Sequence, residues 1–463
     1  MTLYSHLARL RYFPPIAGGL LFVFLLSFCS HALAADDLAT ASSAAVSAPV
    51  AEIDSGDTAW ILASTALVLF MTIPGLSLFY GGLVQAKSVL SVLMHCLVIT
   101  AAVSIIWVLF GYSFALDDSI NPEEGVIALG SFIGGTGKLG LANVTGNVVG
   151  TIPELLVAAF QMTFAVITPA LMVGAFAERM KFSAVFLFSI LWLIVVYLPI
   201  CHMTWGGGLF ATWGVIDLAG GIVVHVTAGF SALIACIMVG SRQGFPENVQ
   251  PPHSTVLTVV GTGMLWVGWF GFNAGSGLAA NEAAAMTLIV THLSASVATL
   301  VWMGIEWIKF GKPSVLGAAT GSIAGLAAIT PASGVVGPMG ALAIGAASGI
   351  LCFFFATTVK KVLRYDDSLD VFGVHGIGGF LGTILAGVFV AKSLGGVGLA
   401  DGMTMGSQVG VQLAAAGITA VYSIAASVVI LLVLRVIVGL RVNDEIETRG
   451  LDLGEHGERG YIL

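Results

Sequence analysis

The sequence predicts an all-α integral membrane protein of eleven transmembrane helices, and three observations predict it. Of 463 residues, 57% are hydrophobic and 9% charged, with a mean hydropathy of +1.01, against roughly 25% charge in soluble domains. The chain also breaks into eleven apolar stretches, each near the about 20 residues that a helix needs to cross a bilayer core. Finally, Gly supplies 59 residues, and in an apolar chain small residues let helix backbones pack closely. A water-soluble globule is excluded.

The N-terminus reads as a secretory signal peptide, residues 1–34: Arg9 and Arg11, an apolar run from Ile16 to Phe28, then Ala32-Leu33-Ala34 before Ala35. An uncleaved anchor is the alternative. Residues 35–57 form a short acidic, Ala/Ser-rich segment expected outside the membrane. The transmembrane domain, 58–436, holds helices expected at 58–82, 89–116, 151–176, 182–200, 219–240, 254–273, 284–307, 314–330, 335–357, 371–391 and a long eleventh at 405–436. A charged tail, 437–463, follows. Cys96, Cys201, Cys236 and Cys352 stand singly, without the Cys-x-x-Cys pairs of metal or redox sites.

Orientation follows from positive charge, which is retained on the cytoplasmic side. With the N-terminus outside, 13 Lys and Arg residues fall on the cytoplasmic side, against Lys138 and Lys392 opposite. N-out, C-in is the consistent assignment for an odd number of helices. Small residues recur four apart at Gly317, Gly321 and Gly325, at Gly345 and Gly349, and at Gly378, Gly382 and Ala386, predicting tight crossings. Setting helices one to five against six to ten exposes a second regularity. Asp217 precedes His225 in DLAGGIVVH, and Asp370 precedes His375 in DVFGVHG. This is the pattern of a 5+5 inverted repeat, whose site lies at the repeat interface.

Ionisable groups at bilayer depth cost about 2.5–3.5 kcal/mol on insertion scales, so each needs a reason. His95, His225, His292 and His375 fall inside predicted helices. Of these, His225 and His375 are related by the repeat and flanked by small or β-branched residues. Two imidazoles that each donate and accept can fix one another's tautomers and hold a small NH-bearing solute; a plain helix-to-helix hydrogen bond is the alternative. Asp217, eight residues ahead of His225, lies about 12 Å away along a helix, which suits an N-cap, with a direct cation ligand as the sharper reading. Asp370 reads as a cap at the opposite end. Phe160 and Phe164 share a helix face, Phe270 and Phe272 flank Gly271, and Trp205 sits in CHMTWGGG. An indole face attracts a cation by about 0.5–2 kcal/mol as water leaves, and Ser276 can accept a hydrogen bond from the same ion; belt and packing roles are the alternative.

Several long segments resemble the ammonium transporter (Amt/Mep/Rh) family, and its bacterial Amt branch most closely. They are DTAWILASTALVLFMTIPGLSLFYGGLV, AFQMTF with GAFAERMKF, WGGG with DLAGGIVVH, WVGWFGFNAGS, DVFGVHGIGG and GLRVNDEIETRGLDLGEHGE. The resemblance implies ammonium or methylammonium transport across a bacterial inner membrane by a homotrimer with one pore per subunit. It implies no cofactor and no enzymatic activity. It further implies that Trp205, Ser276 and Phe160, supported by Asp217, recruit NH4+, and that Phe164 and Phe272 form a gate. His225 and His375 would be the twin histidines of an apolar lumen that Trp269 also lines. The tail would dock a PII-type regulatory protein. An ammonium sensor signalling through that tail is the alternative function. The segment 117–151 has no role legible in the sequence.

Overall fold

The structure is a computed structural model and describes residues 52–461 apart from 124 and 249. The expected signal peptide and most of the segment 35–57 lie outside the described residues.

Ten described helices are long and apolar enough to cross a membrane. We label them α1 (Ser55–Leu83), α2 (Ala86–Leu116), α3 (Glu154–Phe176), α4 (Phe182–Thr212), α5 (Gly221–Val239), α6 (Thr255–Gly275), α7 (Glu282–Phe310), α9 (Pro338–Leu363), α10 (Phe372–Phe389) and α11 (Met405–Ile437). Between α7 and α9 lies α8 (Val315–Ile329), a shorter apolar helix. Each begins within a few residues of its expected position. Asp54 starts α1, its carboxylate accepting the Asp57 N–H at 2.8 Å, so the helix takes in the last three residues of the segment read as 35–57.

The glycine stripes do what their spacing predicts. A methyl on Gly321 would sit 2.7 Å from the Trp302 side chain, and one on Gly325 would sit 2.6 Å from the Ser294 carbonyl. From the other side, methyls on Gly345 and Gly349 would meet Ser294 and Val301. The middle of α7 is therefore clasped between α8 and α9 through backbones that only glycine lets so close. Large apolar side chains such as Leu300, Ile308, Val421 and Val436 remain exposed, as a lipid-facing surface requires.

Beyond α11 the chain turns back onto the body. Lys181 N–H donates to the Leu440 carbonyl and Val442 N–H to the Arg179 carbonyl, each at 3.0 Å. A short helix, α12 (Asp444–Arg449), and a π-helical turn, Asp452–His456, follow. The Asp452 carboxylate is buried and accepts the N–H groups of Leu90 and Ser91 at the start of α2, while Glu455 accepts the Phe182 N–H at the start of α4. Carboxylates at helix N-termini satisfy orphan donors and complement the dipole. In GLDLGEHGE, then, both of these acidic side chains face inward and lock the tail to α2 and α4.

Candidate functional site

The site begins with two helix starts. Asp217 stands eight residues before His225, and its carboxylate accepts four backbone N–H groups, from Gly220, Gly221, Ile222 and Val223, at 2.6–3.2 Å. Asp367 stands eight residues before His375 and accepts the Phe372 N–H at 2.7 Å, the same i+5 position that Ile222 occupies relative to Asp217. The partner of Asp217 in the repeat is therefore Asp367. Asp370, which the sequence suggested as the cap, instead pairs its side chain with Lys360 and has a left-handed backbone, φ 62°. With that conformation it precedes the first turn of α10 and cannot extend it.

Both histidines lie on π-helical turns, Gly221–Val226 and Phe372–Gly376, a distortion common at functional sites because it redirects side chains. Each is followed four residues later by a glycine, and the opposing helix crosses there. A methyl on Gly229 would overlap the Gly376 Cα, and one on Gly379 would lie 2.6 Å from the His225 Cβ. The crossing brings the two buried rings together. Their Nδ1 atoms are 3.3 Å apart and their centroids 5.2 Å apart, with planes inclined by 21°. One Nδ1 donates and the other accepts, so the two tautomers are coupled.

The pair lines a narrow apolar cavity with Ile167, Leu171, Trp269 and Phe272. Its volume, about 10 Å³, is room for roughly one water-sized molecule. Among the described residues, the buried His225 Nε2 has no hydrogen-bond partner. Trp269 packs on His225 at 5.6 Å and is fixed by its Nε1–H donating to the Thr330 hydroxyl at 2.9 Å.

From His225 an unbroken row of rings leads to the half-buried Trp205. Phe272 lies 6.1 Å from His225, Phe164 lies 4.3 Å from Phe272, and Trp205 meets Phe164 edge-on at 5.8 Å. Phe164 and Phe272 are almost fully buried and lie between Trp205 and the cavity. The Trp205 indole N–H donates to the Asp217 carbonyl at 2.8 Å, which joins the surface aromatic to the helix start. Ser276 is half-buried and its hydroxyl donates to the Phe272 carbonyl at 2.7 Å, leaving its lone pairs available to a donor. Phe160 is fully buried behind Phe164, 5.0 Å from it. The ring against Trp205 is Phe164. With four N–H groups on the Asp217 carboxylate, a direct ion contact would have to displace them, so any effect on a cation is through field and through Trp205.

Two other histidines that the sequence singled out lie apart from this row. His95 stacks on Phe182 at 5.6 Å, and His292 is exposed beside Trp266 and Phe270. The residues that sequence reasoning missed are Asp367, Gly229, Gly379 and Thr330. The first three carried a signal, since Asp-x7-His-x3-Gly is present at both 217–229 and 367–379.

Fold and site together define a polytopic α-helical membrane protein with a buried apolar cavity beside two contacting histidines and a row of aromatic rings. The family model described as Ammonium Transporter Family matches residues 59–461. An ammonium transporter of Aquifex aeolicus is 45% identical over 420 residues, covering 89% of this chain and 95% of that protein. One from Bacillus subtilis is 43% identical, covering 88% and 98%. Among solved structures, a Sensor Amt Protein aligns with a TM-score of 0.79 at 28% identity, covering 87% of this chain and 98% of that one. Saccharomyces cerevisiae Mep2 aligns at 0.75 and 33%, covering 85% and 89%. The chain belongs to the ammonium transporter family.

Proposed function

We propose that this chain carries ammonium and methylammonium across the bacterial inner membrane by admitting NH4+ at Trp205 and passing NH3 through the histidine-centred lumen. The observation that carries this reading is the single row of contacts Trp205, Phe164, Phe272, His225 and His375, in which a cation-attracting face gives way to an apolar, one-molecule-wide cavity. NH4+ is recruited at the indole face and the Ser276 hydroxyl, with Phe160 behind the gate and Asp217 setting the negative field. The ion passes its proton near Phe164 and Phe272 to the unpartnered Nε2 of His225, from which the histidine pair relays it to the far side, and NH3 crosses. An isolated ion in a low-dielectric passage costs several kcal/mol or more, whereas a neutral amine held by an imidazole nitrogen does not carry that cost. K+ has no proton to release and is excluded by the same step. An N-out, C-in arrangement of eleven helices, a homotrimer with a pore in each subunit, and a PII-type cytoplasmic partner complete the reading. Since Asp452 and Glu455 are turned inward, such a partner would meet the exposed charges of Glu458 and Arg459.

The test is uptake of labelled methylammonium by purified protein in vesicles, with simultaneous current recording. His225→Leu with His375→Leu should remove or reshape the current and its selectivity; unchanged current and selectivity in the folded double variant would overturn the role of the pair. A sensor that signals through its tail is the second reading, favoured by the structural likeness to a Sensor Amt Protein. Saturable uptake by the purified chain that stops with the pore substitutions decides for transport.

A further inference from the structure

The motif Trp205-Gly206-Gly207-Gly208 is packed against the segment 117–151, and one side chain joins the two. His202, on α4 one turn before Trp205, is fully buried. Its Nδ1 lies 3.1 Å from the Ala115 carbonyl, and its Nε2 lies 2.8 Å from the Gly130 carbonyl and 3.0 Å from Asn121 Oδ1. Backbone carbonyls only accept, so a ring nitrogen bonds Ala115 or Gly130 through the hydrogen it carries, and the tautomer decides which side of the clasp is held. The His202 main chain completes the grip, its carbonyl accepting the N–H groups of Gly206 and Gly208 at 2.9 and 3.1 Å. Asn121 closes the loop by donating to the Gly206 carbonyl at 2.8 Å.

The three glycines are the other half of this joint. A methyl on Gly206 would overlap His202 Nδ1 and the Ala115 carbonyl, one on Gly207 would lie 2.6 Å from Asn121 Nδ2, and one on Gly208 would lie 2.6 Å from the Ser131 carbonyl. Gly207 also has a left-handed backbone, φ 80°. The charged groups of the neighbouring elements have other partners. The Asp117 carboxylate accepts the N–H groups of Ser119 and Gly137, Lys138 pairs with Glu154, and Asp217 holds the start of α5. His202 is thus the link between the 117–151 segment and the turn that aims Trp205.

We propose that His202, clamped by Asn121, Ala115 and Gly130, is a positioning residue that fixes the Trp205 indole over the entrance, with the 117–131 stretch as its scaffold. This rests on the reading of Trp205 as the recruitment face. Loss of the clasp lets the turn shift and weakens substrate capture, while the lumen beyond Phe164 is untouched. The experiment is methylammonium uptake in vesicles, reported as half-saturating concentration and maximal rate per folded transporter. His202→Phe keeps the ring volume and removes both ring nitrogens; Asn121→Leu cuts one arm and stands in should His202→Phe fail to fold. We expect His202→Phe to raise half-saturation about tenfold, as loss of a buried hydrogen bond of about 1–1.5 kcal/mol implies, with maximal rate within about twofold. Asn121→Leu should raise it about threefold, and the double variant should be no worse than His202→Phe, since the two act through one joint. Half-saturation unchanged in both single variants, or a fall in maximal rate alone, overturns the proposal. A parallel Trp205→Leu variant separates the two ideas. If it too leaves half-saturation unchanged, the recruitment reading falls; if it raises half-saturation while the His202 and Asn121 variants do not, only the clasp falls.

Discussion

Asp217 and Asp367 stand at the same distance ahead of their histidines, and each accepts the N–H five residues on, yet the two carboxylates live differently. Asp217 is saturated by four N–H groups and its main chain holds Trp205. Asp367 accepts one of these N–H groups, and its second oxygen, Oδ1, is buried without a partner among the described residues. Around Asp367 the structure places instead a web of ions. Arg242 is bonded to Asp366 and Glu178, Lys360 is paired with Asp370, and a buried Arg179 donates to the carbonyls of Gly240, Ala177 and Ala175. One end of the repeat is therefore a rigid hydrogen-bonded cap behind an aromatic, and the other is an ionic frame onto which the tail is tied. The shared backbone plan fixes the histidines, and what differs is how each end is held.

The largest expected effect tests that asymmetry. Asp217→Ala leaves four buried N–H groups without their acceptor, at about 1–3 kcal/mol each before relaxation, so a total loss of roughly 4 kcal/mol or more is expected. Asp367→Ala releases one, for about 1–3 kcal/mol. Thermal unfolding of the detergent-purified variants measures both. Equal losses at the two positions would show that the ends are held alike and break the comparison.

Next in size is Arg242→Ala. Removing one partner from a buried ion pair costs about 3–5 kcal/mol, because the remaining charges are left uncompensated. The effect should depend on pH in a definite sense. Burial pushes the Asp366 carboxyl up, but its bonds and proximity to Arg242 prevail and hold it below its ordinary 3.8. In the native protein that contribution is in full force at neutral pH and is lost only as pH falls through the lowered folded value. Without Arg242 burial dominates, the carboxyl takes up a proton more readily, and the penalty shrinks on acidification. The stability gap between the two proteins should therefore be widest near pH 7 and narrow towards pH 4; a gap that widens on acidification would contradict this assignment.

A smaller effect bears on what the two ends have in common. Gly229→Ala or Gly379→Ala forces α5 and α10 apart at the histidine crossing, at about 1–3 kcal/mol for overpacking, and should separate the ring pair. As a control, Gly263 has open space around a would-be methyl, and there alanine should be neutral or stabilising by about 0.5–1 kcal/mol. Uptake and unfolding temperature together report both. A crossing variant that behaves like the Gly263 control would mean that the close approach is not needed.

Much of this architecture was legible in the sequence, because a bilayer forces helices to announce themselves as apolar runs of set length. The expected 314–330 and 405–436 became Val315–Ile329 and Met405–Ile437. The misses occur where polar residues continue a helix past its apolar run: α4 proceeds through His202 and Thr204, and α9 through Lys360, since their side chains find partners there. Symmetry pointed to the histidine pair but to Asp370 in place of Asp367, because the nearer acid was matched without counting the eight-residue spacing. The role of His202 was out of reach. Its partners Ala115, Asn121 and Gly130 lie 72 to 87 residues away, and no local pattern encodes such contacts. The inward turn of Asp452 and Glu455 was hidden for the same reason, as the Asp452 partners are more than 360 residues away and the Glu455 partner 273.

The smallest expected effect concerns that tie between the tail and the ionic end. Asp452→Asn and Glu455→Gln each weaken a side-chain cap on a helix start, for about 1 kcal/mol each, and the cost falls on the docking of residues 440–461 more than on the bundle. Lys181 and Val442 still hold the tail root through backbone bonds, and Arg441 remains bonded to Glu447 and to the Ser241 carbonyl. The double variant should therefore lose its tail to limited proteolysis at Arg449 and Arg459 faster than the native chain, by about thirtyfold for a total of roughly 2 kcal/mol of local opening, while its global unfolding temperature hardly moves. If instead the bundle melts earlier by as much as in Arg242→Ala, the tail is a structural part of the ionic end; if proteolysis is unchanged, the two carboxylates do not hold it.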